Sequence, residues 1–168
     1  MNTFNKLFRK TNINSKHNIN YIKINEVNTN HLLTLLNTRK VREHLIEHDL
    51  FNDISIKDWI DMKMKIDSTH GCIIRAILID TQLGGWCGIQ LEDNKYEIAV
   101  VIDQNYWGLG NRIFQDIMSW AKDLGHKTVY IHLLHTRPES KYLKKISKNV
   151  YQSKVLDSKF TTYELAVN

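Results

Sequence analysis

The chain has 168 residues, 42% hydrophobic and 24% charged, which is enough for one domain with a real core and too few for two comfortable ones. Its 23 Lys and Arg against 18 Asp and Glu give a formal charge of +5, a balance that favours an anionic ligand or a phosphorylated cofactor. Basic residues run from Lys6 to Lys159 without an arginine-rich tract or an aromatic RNA-binding motif, so no nucleic-acid partner is expected; no apolar run approaches the ~20 residues of a membrane span.

Residues 1–18 are rich in Asn and Lys and predict a poorly ordered arm or an edge strand ahead of a single domain over 19–168. The N-terminus lacks the continuous apolar stretch of a secretory signal, so a cytoplasmic location is expected. Ile19 to Val27 alternates as a first strand, and Asn28, Thr29 and Asn30 cap a helix that turns Leu32, Leu33, Leu35 and Leu36 inward. A second short helix is expected over Thr38–Phe51, with Val41, Leu45 and Ile46 inward and Arg39, Arg42, Glu43, His44, Glu47 and His48 on a polar face. Ser55 and Asp58 mark the start of a third, whose apolar side takes Ile56, Trp59, Ile60, Met64 and Met62, and which Ser68 to Gly71 break.

Two apolar segments follow, Cys72–Asp80 and Gly84–Glu92, joined by a turn around Thr81, Gln82 and Leu83; a second turn at Asp93 and Asn94 leads to the strand at Tyr96. This predicts a three-stranded antiparallel meander. Cys72 and Cys87 sit inside these strands, without metal-ligand spacing or a disulfide framework, as small buried hydrophobes, and no metal site is expected.

The chain turns on residues 97–121. Glu97 to Ile102 is apolar and β-branched enough for a buried strand, and Asp103, Gln104 and Asn105 supply a turn. Ile113, Phe114, Ile117, Met118, Trp120 and Ala121 then recur at helical spacing. A helix therefore starts near Gly110, and its first N–H groups, introduced by Gly108 and Gly110, suit an anion such as phosphate. Gly125 stops that helix, Thr128–His135 returns as a strand parallel to the first, Pro138 marks another helix start, and Val150–Leu156 with Phe160–Val167 close as a hairpin.

The run VIDQNYWGLGNRIF and the later strand TVYIHLL resemble the acetyl-CoA signature of the GNAT acetyltransferases, closest to the branch whose loop reads Tyr-Trp-Gly-x-Gly. The likeness covers about residues 20–167. It implies an α/β fold, a mixed, mostly antiparallel sheet flanked by helices around a central β-α-β unit. It also implies acetyl-CoA as cofactor. In the family's six-residue phosphate-loop pattern Trp107 falls first, Gly110 second and Arg112 third, where a small residue is usual. Backbone N–H groups of Gly108, Leu109, Gly110, Asn111 and Arg112 would hold the diphosphate, and the Val101–Ile102 backbone would pair with the pantetheine arm. Ser140 keeps a small hydroxyl residue of the family's next helix, while Arg137 and Lys144 replace its Asn and Tyr.

Acetyl transfer to an amine needs a base for the amine proton and a proton for the departing thiolate. Glu97, on the strand leading into the phosphate loop, is the candidate base, and partial burial would raise its pKa; the alternative is pairing with Lys95 or another basic neighbour. Tyr142 is the candidate acid. His132 and His135 lie three apart on one strand and face opposite sides. The resemblance implies an N-acetyltransferase, monomeric or homodimeric, acting on a small-molecule amine, with a protein N-terminus or a non-catalytic acyl-CoA-binding module as alternatives.

Overall fold

The structure is a computed structural model that describes residues 17–43, 45–155 and 157–168. Seven strands form one sheet in the order β1-β2-β3-β4-β5-β7-β6. They are β1 (Ile19–Ile22), β2 (Ile73–Ile79), β3 (Gln82–Glu92), β4 (Lys95–Ile102), β5 (Thr128–Leu134), β6 (Ser147–Val155) and β7 (Ser158–Ala166). Every neighbouring pair is antiparallel except β4 and β5. The helices are α1 (Thr29–Asn37), α2 (Arg39–Arg42), α3 (Ser55–Asp67), α4 (Gly110–Asp123) and α5 (Lys141–Ile146).

The meander forms where the turn residues allow it. Asp80 and Thr81, then Asp93 and Asn94, take positive φ, which is the geometry of tight hairpins and suits Asp and Asn. The first turn therefore lies at 80–81, one residue ahead of the 81–83 expected, because Gln82 and Leu83 already pair with β2. Gly125, at φ +80°, ends α4 as a left-handed cap: its N–H reaches the Lys122 carbonyl and that of His126 the Ala121 carbonyl, which satisfies two orphan acceptors at once.

Three elements differ from the sequence reading. β1 ends at Ile22 and gives way to a 3-10 turn over Ile24–Glu26, closed by the Lys23 N–H on the Glu26 carboxylate. The second helix is a single turn, because Arg42 sends its guanidinium to the carbonyls of His48 and Asp49 and folds the following segment back as a loop; His44 lies outside the described residues. The last helix begins at Lys141, three residues beyond Pro138, since Ser140 is its N-cap and accepts from the Leu143 N–H. Of the expected arm over residues 1–18, only His17 and Asn18 fall among the described residues.

The sheet carries a core on each face. On one side, Ile98 and Ile102 of β4 and Val129, Ile131 and Leu133 of β5 pack with Ile113, Phe114 and Ile117 of α4. On the other, Trp86 of β3 and Ala99 and Val101 of β4 pack with Leu32, Leu35 and Leu36 of α1 and Ile56 and Ile60 of α3. Alternation along each strand therefore fixes which residues face α3. Glu97 does, and so do Tyr130 and His132.

Candidate active site

β4 and β5 meet at one bridge, Glu97↔Tyr130, and part beyond it, as two parallel strands do when nothing pairs their continuing edges. The hydrogen-bonding direction of each β4 residue follows from its antiparallel partner. The Asp103 N–H donates to the Gly84 carbonyl at 2.8 Å, so odd-numbered residues of β4 turn their backbone groups to β3 and even-numbered ones turn theirs to the fork. Val101 thus spends its backbone on Trp86, its register partner. Val100 and Ile102 face the opening. Of the Val101–Ile102 pair that the sequence named for a pantetheine arm, Ile102 turns its backbone to the fork and Val101 does not, and the Ile102 carbonyl already accepts from Trp107 Nε1 at 3.1 Å.

The loop after β4 is a 3-10 helix over Gln104–Leu109 that runs directly into α4 at Gly110, with Asp103 accepting from the Asn105 N–H. α4 begins at Gly110, where the sequence expects a helix start, but the 3-10 turn ahead of it supplies acceptors to its leading amides. Leu109 is fully buried and Gly110 is buried. Asn111 holds a buried Oδ1 with no hydrogen-bond partner, an orphan acceptor in the first turn of α4. Arg112 points elsewhere: its Nη1 donates to the His17 carbonyl at 2.9 Å.

Two of the expected site residues are drawn away from the fork. Tyr142 lies on the α4 side of the sheet, where its hydroxyl accepts from Gln115 Nε2 at 3.3 Å and its ring meets Phe114 edge-on. Glu97 faces the opposite side. Ser140 is fully buried, with its side chain committed to the α5 cap and its N–H to the Tyr163 hydroxyl at 3.0 Å; neither group is offered to a ligand.

Around Glu97 the structure assembles a polar cluster on the α3 face of the sheet. Burial pushes its carboxyl up to about 7, repulsion from Glu92 adds to the rise, and the Lys63 ammonium opposes it. Lys95, the expected partner, donates instead to the Tyr151 hydroxyl at 3.1 Å and lies over the Tyr130 and Tyr151 rings. His132 binds Thr162 Oγ1 through Nδ1 at 2.7 Å, and Thr162 meets Ser153 Oγ at 2.5 Å. Burial holds the His132 imidazole below its ordinary range, which favours the neutral form. His135 lies past the end of β5, exposed, against the Lys159 carbonyl.

Lys63 is the residue the sequence reading missed. It is only 6% exposed, with Nζ donating to Gln90 Oε1 at 2.8 Å and 4.5 Å from the Trp86 ring centre. Its position was legible: Ile56, Trp59, Ile60 and Lys63 follow the i, i+3, i+4, i+7 spacing of an inward helix face. Met62, which the sequence reading turned inward, is 45% exposed.

No protein-family model matches this chain, and no curated protein matches it in sequence. Its structure is similar to many solved ones. Spermidine N-acetyltransferase from Vibrio cholerae, solved with CoA and spermine, superposes with a TM-score of 0.65 at 11% identity, over 91% of this chain and 96% of that one. The microcin C7 self-immunity acetyltransferase MccE, solved with acetyl-CoA and AMP, gives 0.67 at 15% identity over 89% and 92%. A GNAT-family acetyltransferase from Streptococcus pneumoniae gives 0.62 at 14% identity over 90% and 100%. At these identities the likeness is one of fold, and the fold is that of the GNAT acetyltransferases.

Proposed function

We propose that this chain, with its GNAT acetyltransferase fold, is an acetyl-CoA-dependent N-acetyltransferase acting on a primary amine by direct transfer, with Glu97 as the base. One observation carries the reading: the parallel strands β4 and β5 open at the single bridge Glu97↔Tyr130, and the carboxyl there titrates at about 7. A base is most effective when its pKa lies near the working pH.

The residues present suit acetyl-CoA. The backbone edge at Val100 and Ile102 would take an extended amide-bearing arm, and the first turn of α4 from Gly110 would take a diphosphate. When bound, acetyl-CoA supplies an acetyl thioester. That the Vibrio cholerae and microcin-immunity structures were solved with CoA or acetyl-CoA supports this assignment.

An alkylammonium must lose a proton before its nitrogen can attack, and Glu97 accepts that proton. The C–N bond then forms as the C–S bond breaks, and the second proton shed by the acylated nitrogen goes to the departing thiolate, which leaves as the thiol of CoA. Trp59 and Trp86, stacked edge to face at 5.4 Å, wall the α3 side and limit water there, which strengthens electrostatic effects at the carboxyl.

The test is release of free CoA from acetyl-CoA with a panel of small amines, amino acids, polyamines and peptides. Amine-dependent release that Glu97→Gln abolishes supports the reading. A rise in Tm with acetyl-CoA but no release with any acceptor would make the chain a non-catalytic acyl-CoA-binding module. The absence of both a Tm rise and CoA release would overturn the assignment.

A further inference from the structure

We propose that Lys63 is a positioning residue for Glu97, an ammonium fixed in the α3 wall of the fork that holds the carboxylate form of the base ready for the acceptor. This rests on Glu97 being the base. Burying an ammonium costs free energy unless an opposite charge or a full set of acceptors compensates. Lys63 is buried, yet its hydrogen-bond partner, Gln90, is neutral. The two indoles it touches, Trp59 at 5.5 Å and Trp86 at 4.5 Å, add a favourable ring interaction but no neutralising charge.

The compensating charge comes from across the sheet. Gln90 on β3 is the register partner of Glu97 on β4, and cross-strand partners hold their side chains side by side on one face. Nζ, anchored on the Gln90 amide, thereby lies on the same face of the sheet as the Glu97 carboxyl, near enough to act on its charge without a direct ion pair. The carboxylates acting on Lys63 are Glu97 first and Glu92 second, and burial brings its ammonium down to about 8.

The other titratable groups around Glu97 divide by element. β3 brings Glu92, β4 brings Lys95, β5 brings Tyr130 and His132, β6 brings Tyr151 and β7 brings Glu164. Lys95 is turned away onto Tyr151, Glu164 accepts from Asn149 Nδ2, and His132 is held by Thr162. Burial, Glu92 and Lys63 are what move the Glu97 carboxyl, and of these three Lys63 alone favours the charged form. Without it the carboxyl is pushed further toward the protonated form.

The test is a titration of the full chain carrying 13C-carboxyl-labelled Glu, with the Glu97 signal assigned by its loss in Glu97→Gln. The Glu97 midpoint is expected to rise by ~1 pH unit in Lys63→Met, a substitution of similar length suited to an indole-lined site. Lys63→Arg, which keeps the charge, should stay near the parent. The acid limb of kcat/KM should move with the carbon signal, and the alkaline plateau should change by less than ~3-fold. Should Lys63→Met fail to fold, Lys63→Gln takes its place, with the same shift expected.

An unmoved Glu97 midpoint in a folded, uncharged variant would overturn the proposal, since a lysine serving packing alone leaves the carboxyl titration where it was. Failure of the acetyltransferase reading is distinguishable. It would show as a parent that releases no CoA while its Glu97 signal still shifts on removing Lys63.

Discussion

Arg112 on α4 and His17 ahead of β1 are joined by a hydrogen bond of 2.9 Å between the guanidinium Nη1 and the backbone carbonyl, across 95 positions of sequence. The same segment is held by the His17 ring and the Asn18 N–H on the Asp80 carboxylate, and by the Tyr21 hydroxyl on Asp116, one turn along α4 from Arg112. Arg112 is therefore part of a clasp that fixes the entry of the chain to the central helix. Its place in the phosphate-loop pattern is kept, but its side chain does structural service.

Arg112→Ala is expected to lower stability by ~1.5–3 kcal/mol, the range for a hydrogen bond to a charged group. The Tm rise produced by acetyl-CoA should remain close to the parent's. Chemical denaturation and a ligand-dependent melt measure both. A variant of parental stability whose affinity for acetyl-CoA had fallen tenfold would return Arg112 to the phosphate site.

Tyr142→Phe should change the rate of transfer by less than ~3-fold, against the ~100-fold or more expected for loss of a proton donor. The sheet separates Tyr142 from Glu97: its ring packs on Phe114 and its hydroxyl takes the Gln115 amide. A large loss of kcat with unchanged KM would place the hydroxyl at the reaction.

Ser140→Ala should cost ~1 kcal/mol of stability, the usual value for an N-cap, and leave acetyl-CoA binding in place. The side chain is fully buried and caps α5 through the Leu143 N–H at 3.2 Å. Weakened cofactor binding at parental stability would contradict that assignment.

Much of this was legible in the sequence because it is local. The strand at Glu97, the glycine-led helix start at Gly110, the stop at Gly125 and the turn at Asp93 and Asn94 each depend on residues within a few positions of one another. What was hidden depends on partners far along the chain. Arg112 finds His17, Ser140 finds the Tyr163 hydroxyl across 23 positions, and Tyr142 finds Gln115 across 27. The direction of the Val101 backbone follows from its register with Trp86, which no spacing in β4 reveals. Lys63 was missed for another reason. A lysine in a helix reads as polar surface, and only the face it shares with Ile56 and Ile60 shows that it points inward.

Glu97→Gln separates chemistry from stability. The rate of acetyl transfer should fall ~100-fold or more while acetyl-CoA binding is kept, because the carboxylate acts in the chemical step. Stability should respond to pH in a definite direction. The folded carboxyl titrates at about 7 against an ordinary value of 4.5, so the folded protein binds this proton more tightly than the unfolded chain does. That contribution is fully present below pH 4.5 and is lost as pH rises through about 7. Gln carries no such proton, so the parent should lose Tm relative to Glu97→Gln between those limits. The comparison belongs at or below pH 7, because Lys63, at about 8, begins to titrate above it. A Tm difference between parent and variant that stays constant across this window would show that the Glu97 carboxyl is not raised, and would remove the strongest reason for choosing it as the base.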